Sequence, residues 1–239
     1  MDPYLAITAA LAGYLLGAIS FARLIPRLID PQADITDVEM EIDGAPETMP
    51  MEAMGANTAS MKYGARIGCT IGLLDMLKVF IPTLAFRLLF PNQPYALIAA
   101  AAGFTGHCWP VFYRFKGGRG VSAFYGGMFA LDPLGALVVS SASMLLGMVV
   151  LKDLLVAYTG GILLAIPWFW FTTRAWPEVL YAVTISILFI IAILPEARAI
   201  RRLQQKYGRG DMSASMTKFP MGRAMLRLLE ILRLRRKQV

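Results

Sequence analysis

The residues best equipped for chemistry lie between Gly106 and Ser122, where glycines stand among cations. The centre of this string reads Lys116, Gly117, Gly118, Arg119, Gly120, Val121 and Ser122. Glycines let a backbone approach an anion closely, so that successive N–H groups can point at it. The two cations add full charges, and a helix predicted to begin near Val121 adds the positive end of its dipole. The string predicts a phosphate-binding loop whose spacing differs from that of the P-loop. A flexible, positively charged turn at a membrane surface is the alternative.

A second polar string, Met54–Ser60, combines small residues with hydroxyl and amide groups and leads into an apolar stretch. Its candidate binding residues are Gly55, Ala56, Asn57 and Thr58, with Lys62 and Arg66 close behind. Such groups beside cations can form a second anion pocket. A polar turn that caps the following helix explains the string equally well.

Two ionisable side chains interrupt the apolar stretch that follows. Asp75 and Lys78 are three residues apart, so on a helix they share one face and can pair. An ionisable group inside a membrane span costs about 2.5–3.5 kcal/mol, so such groups normally face a bundle interior or a polar cavity. We therefore expect this pair to organise a charged site, and a purely structural pair is the alternative.

His107 is the only histidine of the chain. A single histidine near a helix end more often packs or forms a hydrogen bond than acts as a base. Spacing assembles no Ser-His-Asp or Cys-His arrangement, and no cluster of His, Cys, Asp and Glu indicates a metal. The two cysteines, Cys69 and Cys108, lie in or beside apolar stretches, which argues against a disulfide framework.

The composition places these residues in a membrane protein. Hydrophobic residues make up 57% of the 239 residues and charged residues 16%, against about 45–50% and about 25% in soluble domains. This excludes a soluble enzyme, a disordered protein and a secreted disulfide scaffold. The net charge of +7 arises in the tail, because 12 Lys and Arg face 3 Asp and Glu from Pro195 onward. Such a tail after a hydrophobic span is typical of a cytoplasmic segment that faces lipid headgroups rather than nucleic acid.

Seven apolar segments are candidate spans, which predicts an all-α, multi-pass membrane fold. They cover about Tyr4–Ile25, Ile67–Phe90, Tyr95–Tyr113, Val121–Leu131, Leu134–Leu151, Leu154–Phe171 and Trp176–Leu194. Val121–Leu131 is short enough to be a re-entrant half-helix, which would leave six spans. With seven spans the lysines and arginines concentrate on one side. The positive-inside rule then predicts an external N terminus and a cytoplasmic C terminus in the cell membrane.

Two segments are predicted to lie outside the bilayer, beside a membrane domain of residues 1–194. Asp30–Glu52 carries eight acidic residues and no lysine or arginine, which is typical of a solvated cytoplasmic loop that repels an anionic leaflet. Pro220–Val239 belongs to the basic tail of residues 195–239 and places leucines among arginines at near-helical spacing. That pattern predicts an interfacial amphipathic helix.

Five strings, taken in order along the chain, resemble the motifs of one family. They read Gly17-Ala-Ile-Ser-Phe21, Gly55-Ala-Asn-Thr58, Leu74-Asp-Met-Leu-Lys78, Gly106-His-Cys-Trp-Pro-Val-Phe112 and Phe115-Lys-Gly-Gly-Arg-Gly-Val121. They are similar to Gly-Ser-Ile-Pro/Ser-Phe, Gly-Ala-Thr-Asn, Leu-Asp-x-x-Lys, Gly-His-x-x-Pro-Val-Phe and Phe-Lys-Gly-Gly-Lys-Gly-Val. These are motifs of the bacterial acyl-phosphate:glycerol-3-phosphate acyltransferases. The match covers most of Gly17–Leu131, and the last string is specific.

The resemblance implies a membrane enzyme of seven helices with its site on the cytoplasmic side. The implied reaction moves a fatty acyl group from an acyl phosphate to the sn-1 hydroxyl of glycerol 3-phosphate, which makes lysophosphatidic acid for phospholipid synthesis. The implied partners are these two substrates and membrane lipids, without cofactor, metal or nucleic acid, and the oligomeric state stays open. An acyl phosphate is already activated, so the protein mainly has to position two anions and stabilise developing charge.

The resemblance also implies a role for each candidate residue. Lys116, Arg119 and the backbone of Gly117–Val121 would hold a phosphate. Hydrogen bonds would come from Ser20, Asn57 and Thr58. The implied catalytic residues are His107, Lys116 and Asn57, with His107 positioning the substrate or, as the alternative, accepting the proton of the attacking hydroxyl.

The sequence departs from the family pattern mainly at the acceptor end. Asn57 and Thr58 stand in swapped order, and Met61 occupies the place of the usual arginine. We expect Lys62 or Arg66 to replace that arginine. Near the C terminus Glu196–Leu203 lacks the His, Glu and Asn of the family's His-Arg-Glu-Asn-Ile-x-Arg-Leu, and Asp30–Glu52 looks like an insertion. The alternative function is a non-catalytic paralogue that binds an anionic lipid or phosphate. A small transporter would need paired broken helices, which the sequence does not show.

Overall fold

The computed structural model describes residues 1–32, 38–41, 48–51, 53–151 and 153–207. Within these ranges the chain forms nine α-helices and one short β-hairpin. The elements are α1 (Pro3–Gly17), α2 (Phe21–Ile29), β1 (Glu39–Glu41), β2 (Thr48–Pro50), α3 (Ala56–Tyr63), α4 (Ala65–Leu89), α5 (Tyr95–Cys108), α6 (Val121–Leu131), α7 (Pro133–Leu145), α8 (Leu154–Thr172) and α9 (Trp176–Tyr207). A 3-10 turn at Val111–Tyr113 follows α5, and a π-helical turn at Leu146–Val150 extends α7.

Most of these helices are long and apolar enough to cross a bilayer. In the described chain five such stretches occur: Pro3–Ile29, which joins α1 and α2, Ala65–Leu89, Pro133–Val150, Leu155–Thr172 and Trp176–Ala199. Helices α5 and α6 have 14 and 11 residues, so they span about 21 Å and about 16 Å of a hydrocarbon core of about 30 Å. The all-α membrane fold is thereby confirmed, and the count of seven spans stays a prediction.

Small residues bring α1 and α5 into close contact. A Cβ atom added to Gly13 would strike the carbonyl of Ala99, and one added to Gly17 would strike the carbonyl of Gly103. Gly106 meets the backbone of α1 in the same way. Close backbone approach through small residues is how helices pack in lipid, where the hydrophobic effect between helices is absent. The contact fixes the rotation of α5 about its axis. It thereby sets the direction of the side chain of His107, the residue after Gly106.

A buried apolar core joins α5 and α6 to α8 and α9. Its largest fully buried side chains are Phe104, Phe124, Met128, Ile162, Phe169 and Ile185. At one end of this core Asp132 accepts a hydrogen bond from the Gly135 N–H at 2.8 Å, which caps α7, and another from Trp168 Nε1 at 2.7 Å. The core therefore holds α8 and α9 against the helix that begins at the glycine-rich loop.

The acidic segment is only partly a solvated loop. Strands β1 and β2 pair antiparallel, with Glu39 opposite Pro50, and the Met51 N–H donates to the Val38 carbonyl at 2.7 Å. Val38 and Met51 are buried, 7% and 2% exposed. These two positions of the segment are therefore not solvated, because the apolar side chains that flank the open end of the hairpin are buried. The solvated cytoplasmic loop stays a prediction for the rest of the segment. The predicted interfacial helix at Pro220–Val239 lies outside the described residues, and α9 continues past residue 195 to Tyr207.

Candidate active site

A break in the first apolar stretch receives the buried lysine. Helix α1 ends at Gly17 and α2 begins at Phe21, and the carbonyl of Ile19 in the break accepts a hydrogen bond from Lys78 Nζ at 2.6 Å. The same ammonium lies 2.7 Å from Asp75 Oδ1 and 5.9 Å from the centroid of the Phe21 ring. The break at Ile19 and the Asp75–Lys78 segment, which are more than fifty residues apart in the sequence, therefore meet at the Lys78 ammonium. The predicted Asp75–Lys78 pair exists, and both side chains are buried.

Asp75 also faces the histidine. Nδ1 of His107 lies 3.7 Å from Asp75 Oδ1, which is too long for a hydrogen bond. His107 Nδ1 has no hydrogen-bond partner among the described residues, and Asp75 Oδ1 is held by its ion pair with Lys78. A carboxylate with a cation on one side and an imidazole on the other can hold both in fixed positions.

The glycine-rich loop wraps around the end of α5. The Gly118 N–H donates to the carbonyl of His107 at 3.1 Å, and the Gly117 carbonyl accepts from the Met54 N–H at 2.9 Å. A Cβ atom on Gly118 would crowd the imidazole of His107. The Gly118 N–H is thus engaged within the loop, and the missing side chain leaves room for the histidine. The phosphate contact of Gly118 stays a prediction.

Gly120 ends the loop and begins α6. Its φ of +86° lies in the left-handed region that favours glycine, and a Cβ atom there would also strike the ring of Phe104. The N–H groups of the first helical turn have no partner within a helix. At α6 these groups belong to Val121 and Ser122, which line a cavity. The positive end of the α6 dipole therefore lies at the cavity, an arrangement that suits an anion.

The second polar string brings another helix N terminus to the same cavity. Gly55 is the N-cap of α3, without a side-chain capping bond. The hydroxyl of Thr58 is buried and donates to the carbonyl of Ala53 at 2.6 Å, which ties the start of α3 to the preceding turn. Asn57 lines the cavity with its side chain half-buried. Two helix N termini, α3 and α6, thus converge on one point.

The cavity between them encloses about 40 Å³ of water-accessible space, enough for roughly three water molecules at about 10–15 Å³ each. Its walls are formed by Ala53, Gly55, Ala56, Asn57, Thr58, Asp75, His107, Arg119, Gly120, Val121, Ser122 and Tyr158. Ten of these twelve were candidate site residues, and Ala53 and Tyr158 are additions. Amide, hydroxyl, guanidinium and helix N-terminal donors around one small space have the chemistry that a phosphate group needs.

Arg119 is held by residues from distant parts of the chain. Its guanidinium forms an ion pair with the carboxylate of Glu196 on α9, and Nη2 lies 3.8 Å from the sulfur of Met51. Nε of Arg119 is buried and has no hydrogen-bond partner among the described residues. Sequence reasoning did not assign a role to Glu196 or to Tyr158 on α8. The place of Glu196 in the altered C-terminal motif could have indicated that it belongs to the site. The sequence offers no such indication for Tyr158.

Several candidate residues lie beside the cavity instead of lining it. The side chain of Lys116 is exposed, and its carbonyl accepts a hydrogen bond from Arg23 Nη2 at 2.8 Å. Ser20 is buried and accepts from Nη1 of the same arginine at 3.2 Å. Arg66 is exposed on α4. The remaining candidates form the layer behind the wall: Lys78, Gly117 and Gly118.

The fold and the cavity together define a multi-pass integral membrane protein with a compact cavity, lined by hydrogen-bond donors, at two helix N termini. The family model for glycerol-3-phosphate acyltransferase matches residues 7–206. The chain belongs to this family, as its motifs indicated.

Curated relatives and solved structures agree with this assignment. The glycerol-3-phosphate acyltransferase of Pseudothermotoga lettingae is 34% identical over 128 residues, which cover 54% of this chain and 58% of that protein. That of Aquifex aeolicus is 32% identical over 133 residues, or 55% of this chain and 62% of the relative. These alignments span less than two thirds of the relatives' length.

The structure is similar to crystal structures of PlsY, an integral membrane glycerol 3-phosphate acyltransferase. Its glycerol 3-phosphate form gives a TM-score of 0.68 at 25% identity, covering 86% of this chain and 94% of that chain. The lysophosphatidic acid form gives a TM-score of 0.67 with the same identity and coverage.

Proposed function

We propose that the protein transfers a fatty acyl group from an acyl phosphate to glycerol 3-phosphate and forms lysophosphatidic acid in the membrane. The observation that carries the proposal is the convergence of the α3 and α6 N termini, Arg119 and Asn57 on one small cavity. Family membership and the forms in which PlsY was solved, with glycerol 3-phosphate and with lysophosphatidic acid, support the same reaction.

In the proposed site the phosphate of the acyl phosphate lies against the first turn of α6. The N–H groups of Val121 and Ser122 and the guanidinium of Arg119 bind it, and Asn57 and Thr58 on α3 complete the polar wall. Lys116, whose side chain is exposed beside the loop, attracts the anion from solvent. Helix dipoles and a fixed guanidinium also stabilise the charge that grows on the leaving phosphate.

The chemical step needs little more than alignment. The acceptor hydroxyl oxygen attacks the carbonyl carbon, the bond from that carbon to the phosphate oxygen breaks, and the hydroxyl proton passes to the departing phosphate. His107 is proposed as a positioning residue, because its ring is wedged between Asp75 and Gly118 and its carbonyl holds the loop. Holding two reactants in reactive geometry is worth about 7–11 kcal/mol of the barrier.

The proposed topology has seven spans, an external N terminus and a cytoplasmic C terminus. It is supported by the lysines and arginines that flank α2, α3 and the glycine-rich loop. With this orientation the cavity opens to the cytoplasm.

The proposal is tested with purified protein in detergent by following phosphate release from an acyl phosphate with and without glycerol 3-phosphate. We expect release that depends on the acceptor and that falls about tenfold to a hundredfold in Arg119→Gln, which loses one charged hydrogen bond. Phosphate or lipid binding without any acceptor-dependent release would instead identify a non-catalytic paralogue.

A further inference from the structure

The proposed phosphate site contains its own competing anion. The carboxylate of Glu196, which α9 brings from the far end of the chain, pairs with the Nη2 atom of Arg119. Both side chains are only 16% exposed, so solvent and salt screen this pair much less than a surface ion pair.

The Arg119–Glu196 pair matters because it engages the cation that a phosphate in the cavity would need. Among the described residues that line the cavity, Arg119 is the only one with a permanent positive charge. The other buried ammonium nearby, Lys78, is taken up by Asp75 and the carbonyl of Ile19. A phosphate in the cavity must therefore obtain its cation from Arg119, which Glu196 already engages.

The guanidinium can serve both anions only in part. It has five N–H donors in a rigid fork, and two anions bound to the same fork repel each other. Nε faces no described partner and is buried, so an anion that reaches it gains a donor that Glu196 leaves unused. The Nη2 donor, by contrast, has to be shared with Glu196 or released by it.

We propose that Glu196 competes with the phosphate for Arg119 and so determines which anions bind. This inference rests on the proposed function, since it assumes that Arg119 contacts the phosphate. A carboxylate ligand offers no more charge than Glu196 itself and does not displace it, whereas a doubly charged phosphoryl group does. Glu196 thereby favours acyl phosphates over free fatty acids, whose headgroup is a carboxylate.

The test compares inorganic phosphate binding, measured by isothermal titration calorimetry in detergent, in four proteins: wild type, Glu196→Gln, Arg119→Gln and the double variant. We expect Glu196→Gln to bind phosphate about tenfold more tightly than wild type, which corresponds to about 1.4 kcal/mol. In the Arg119→Gln background the same change should have a much smaller effect, because only direct repulsion between Glu196 and the phosphate then remains. Equal affinity in wild type and Glu196→Gln, or an equal gain in both backgrounds, would overturn the proposal.

Two further variants keep the test decisive. Asp30→Asn removes one negative charge from an exposed residue that accepts a hydrogen bond from the Gln32 N–H of its own loop, and it should leave phosphate affinity unchanged. Glu196→Asp keeps the charge but shortens its reach by one methylene, so its affinity should lie between wild type and Glu196→Gln. It replaces Glu196→Gln if the latter does not fold, and wild-type affinity in Glu196→Asp then overturns the competition.

Inhibition by a free fatty acid tests directly whether Glu196 makes the site prefer acyl phosphates to carboxylates. Octanoate should inhibit acyl transfer competitively with acyl phosphate in Glu196→Gln, at a concentration about tenfold lower than in wild type. Acyl transfer by the wild type, measured in parallel, separates the two claims. Transfer with unchanged phosphate affinity in Glu196→Gln overturns only the role of Glu196, whereas absence of transfer overturns the proposed function whatever the affinities.

Discussion

The substitution Gly118→Ala tests whether the glycine-rich loop and the histidine form one packed unit. The added Cβ atom would lie 3.0 Å from Cε1 and 3.2 Å from Cδ2 of His107, and closer still to Nε2, where ordinary contacts begin at 3.4 Å. Gly118 is not in the left-handed region, so alanine brings no backbone strain and the effect is steric. The ring has Asp75 on its other side, with Nδ1 3.7 Å from Oδ1.

The collision must be relieved by moving the ring or the loop by roughly 1 Å, and a misplacement of that size near reacting groups costs about a hundredfold in rate. Overpacking of this kind also lowers the free energy of unfolding by about 1–3 kcal/mol. We therefore expect kcat for acyl transfer to fall about a hundredfold while the protein stays folded and inserted. Initial rates of lysophosphatidic acid formation and thermal unfolding in the same detergent measure the two effects.

Gly72→Ala is the matched control on α4. Its Cβ atom would lie 3.4 Å from Ala56 Cβ and 3.9 Å from Ser122 Oγ, which are ordinary contacts in the same neighbourhood. Alanine also favours a helix interior over glycine by about 1 kcal/mol, so stability should hold or rise and activity should stay within about twofold. Wild-type kinetics in Gly118→Ala, or equal losses in both variants, would refute the steric coupling of loop and histidine.

The remaining predictions concern the buried Asp75–Lys78 pair, the hydrogen bond from Arg23 to the glycine-rich loop, and the topology. Asp75→Asn should lower the free energy of unfolding by about 3–5 kcal/mol because it leaves the buried Lys78 ammonium unpaired, and adding Lys78→Met should recover much of that loss. Thermal unfolding of both variants measures these changes. An undiminished melting temperature in Asp75→Asn would contradict the pairing. Arg23→Ala removes the hydrogen bond to the Lys116 carbonyl and should raise KM for acyl phosphate about tenfold, the scale of a charged hydrogen bond. Arg27 is exposed on the same helix, and Arg27→Ala should leave KM unchanged. Equal KM values in the two variants would show that Arg23 does not hold the loop for substrate binding. Cysteine labelling should find the N terminus outside and the C terminus inside, and both on one side would rule out seven spans.

Much of the site could be predicted because its residues lie at helix starts, where local sequence is informative. Small and polar residues at Gly55–Thr58 and the glycine-rich loop before Val121 mark such starts, and both helices direct their first turns at the cavity. The Asp75–Lys78 pair could be predicted from helix periodicity alone. Each of these signals depends on neighbours within a few residues.

The contributions of α8 and α9 could not be predicted in the same way. A helix that is apolar all round, such as α8, gives no moment to show which face turns inward, so the inward direction of Tyr158 depends on tertiary packing. Glu196 lies in the charged end of α9, and its partner Arg119 is too distant in sequence for spacing to indicate the pair. Spacing also does not reveal which N–H groups are already engaged. The Gly118 N–H is bound by the carbonyl of His107, and only the folded loop shows this.

The burial of two residues in the acidic segment was equally hidden. The net charge of the segment indicates solvation, but Val38 and Met51 are apolar residues that flank the open end of a hairpin. Once the strands pair, these side chains come together and pack inward, with Met51 reaching the guanidinium of Arg119. The composition of the segment as a whole conceals these two positions.

The central claim, that the cavity at the starts of α3 and α6 performs acyl transfer, is tested most directly by mass spectrometry of the lipid product. Purified protein is incubated with an acyl phosphate and isotopically labelled glycerol 3-phosphate, and labelled lysophosphatidic acid is quantified for wild type, Asn57→Ala and Arg119→Gln. Loss of one charged hydrogen bond of about 1.5–3 kcal/mol should lower kcat/KM of Arg119→Gln about tenfold to a hundredfold. The neutral contact of Asn57 is worth about 1 kcal/mol, so Asn57→Ala should lose about fivefold. Absence of labelled product from the wild type, or undiminished product from both variants, would contradict the account.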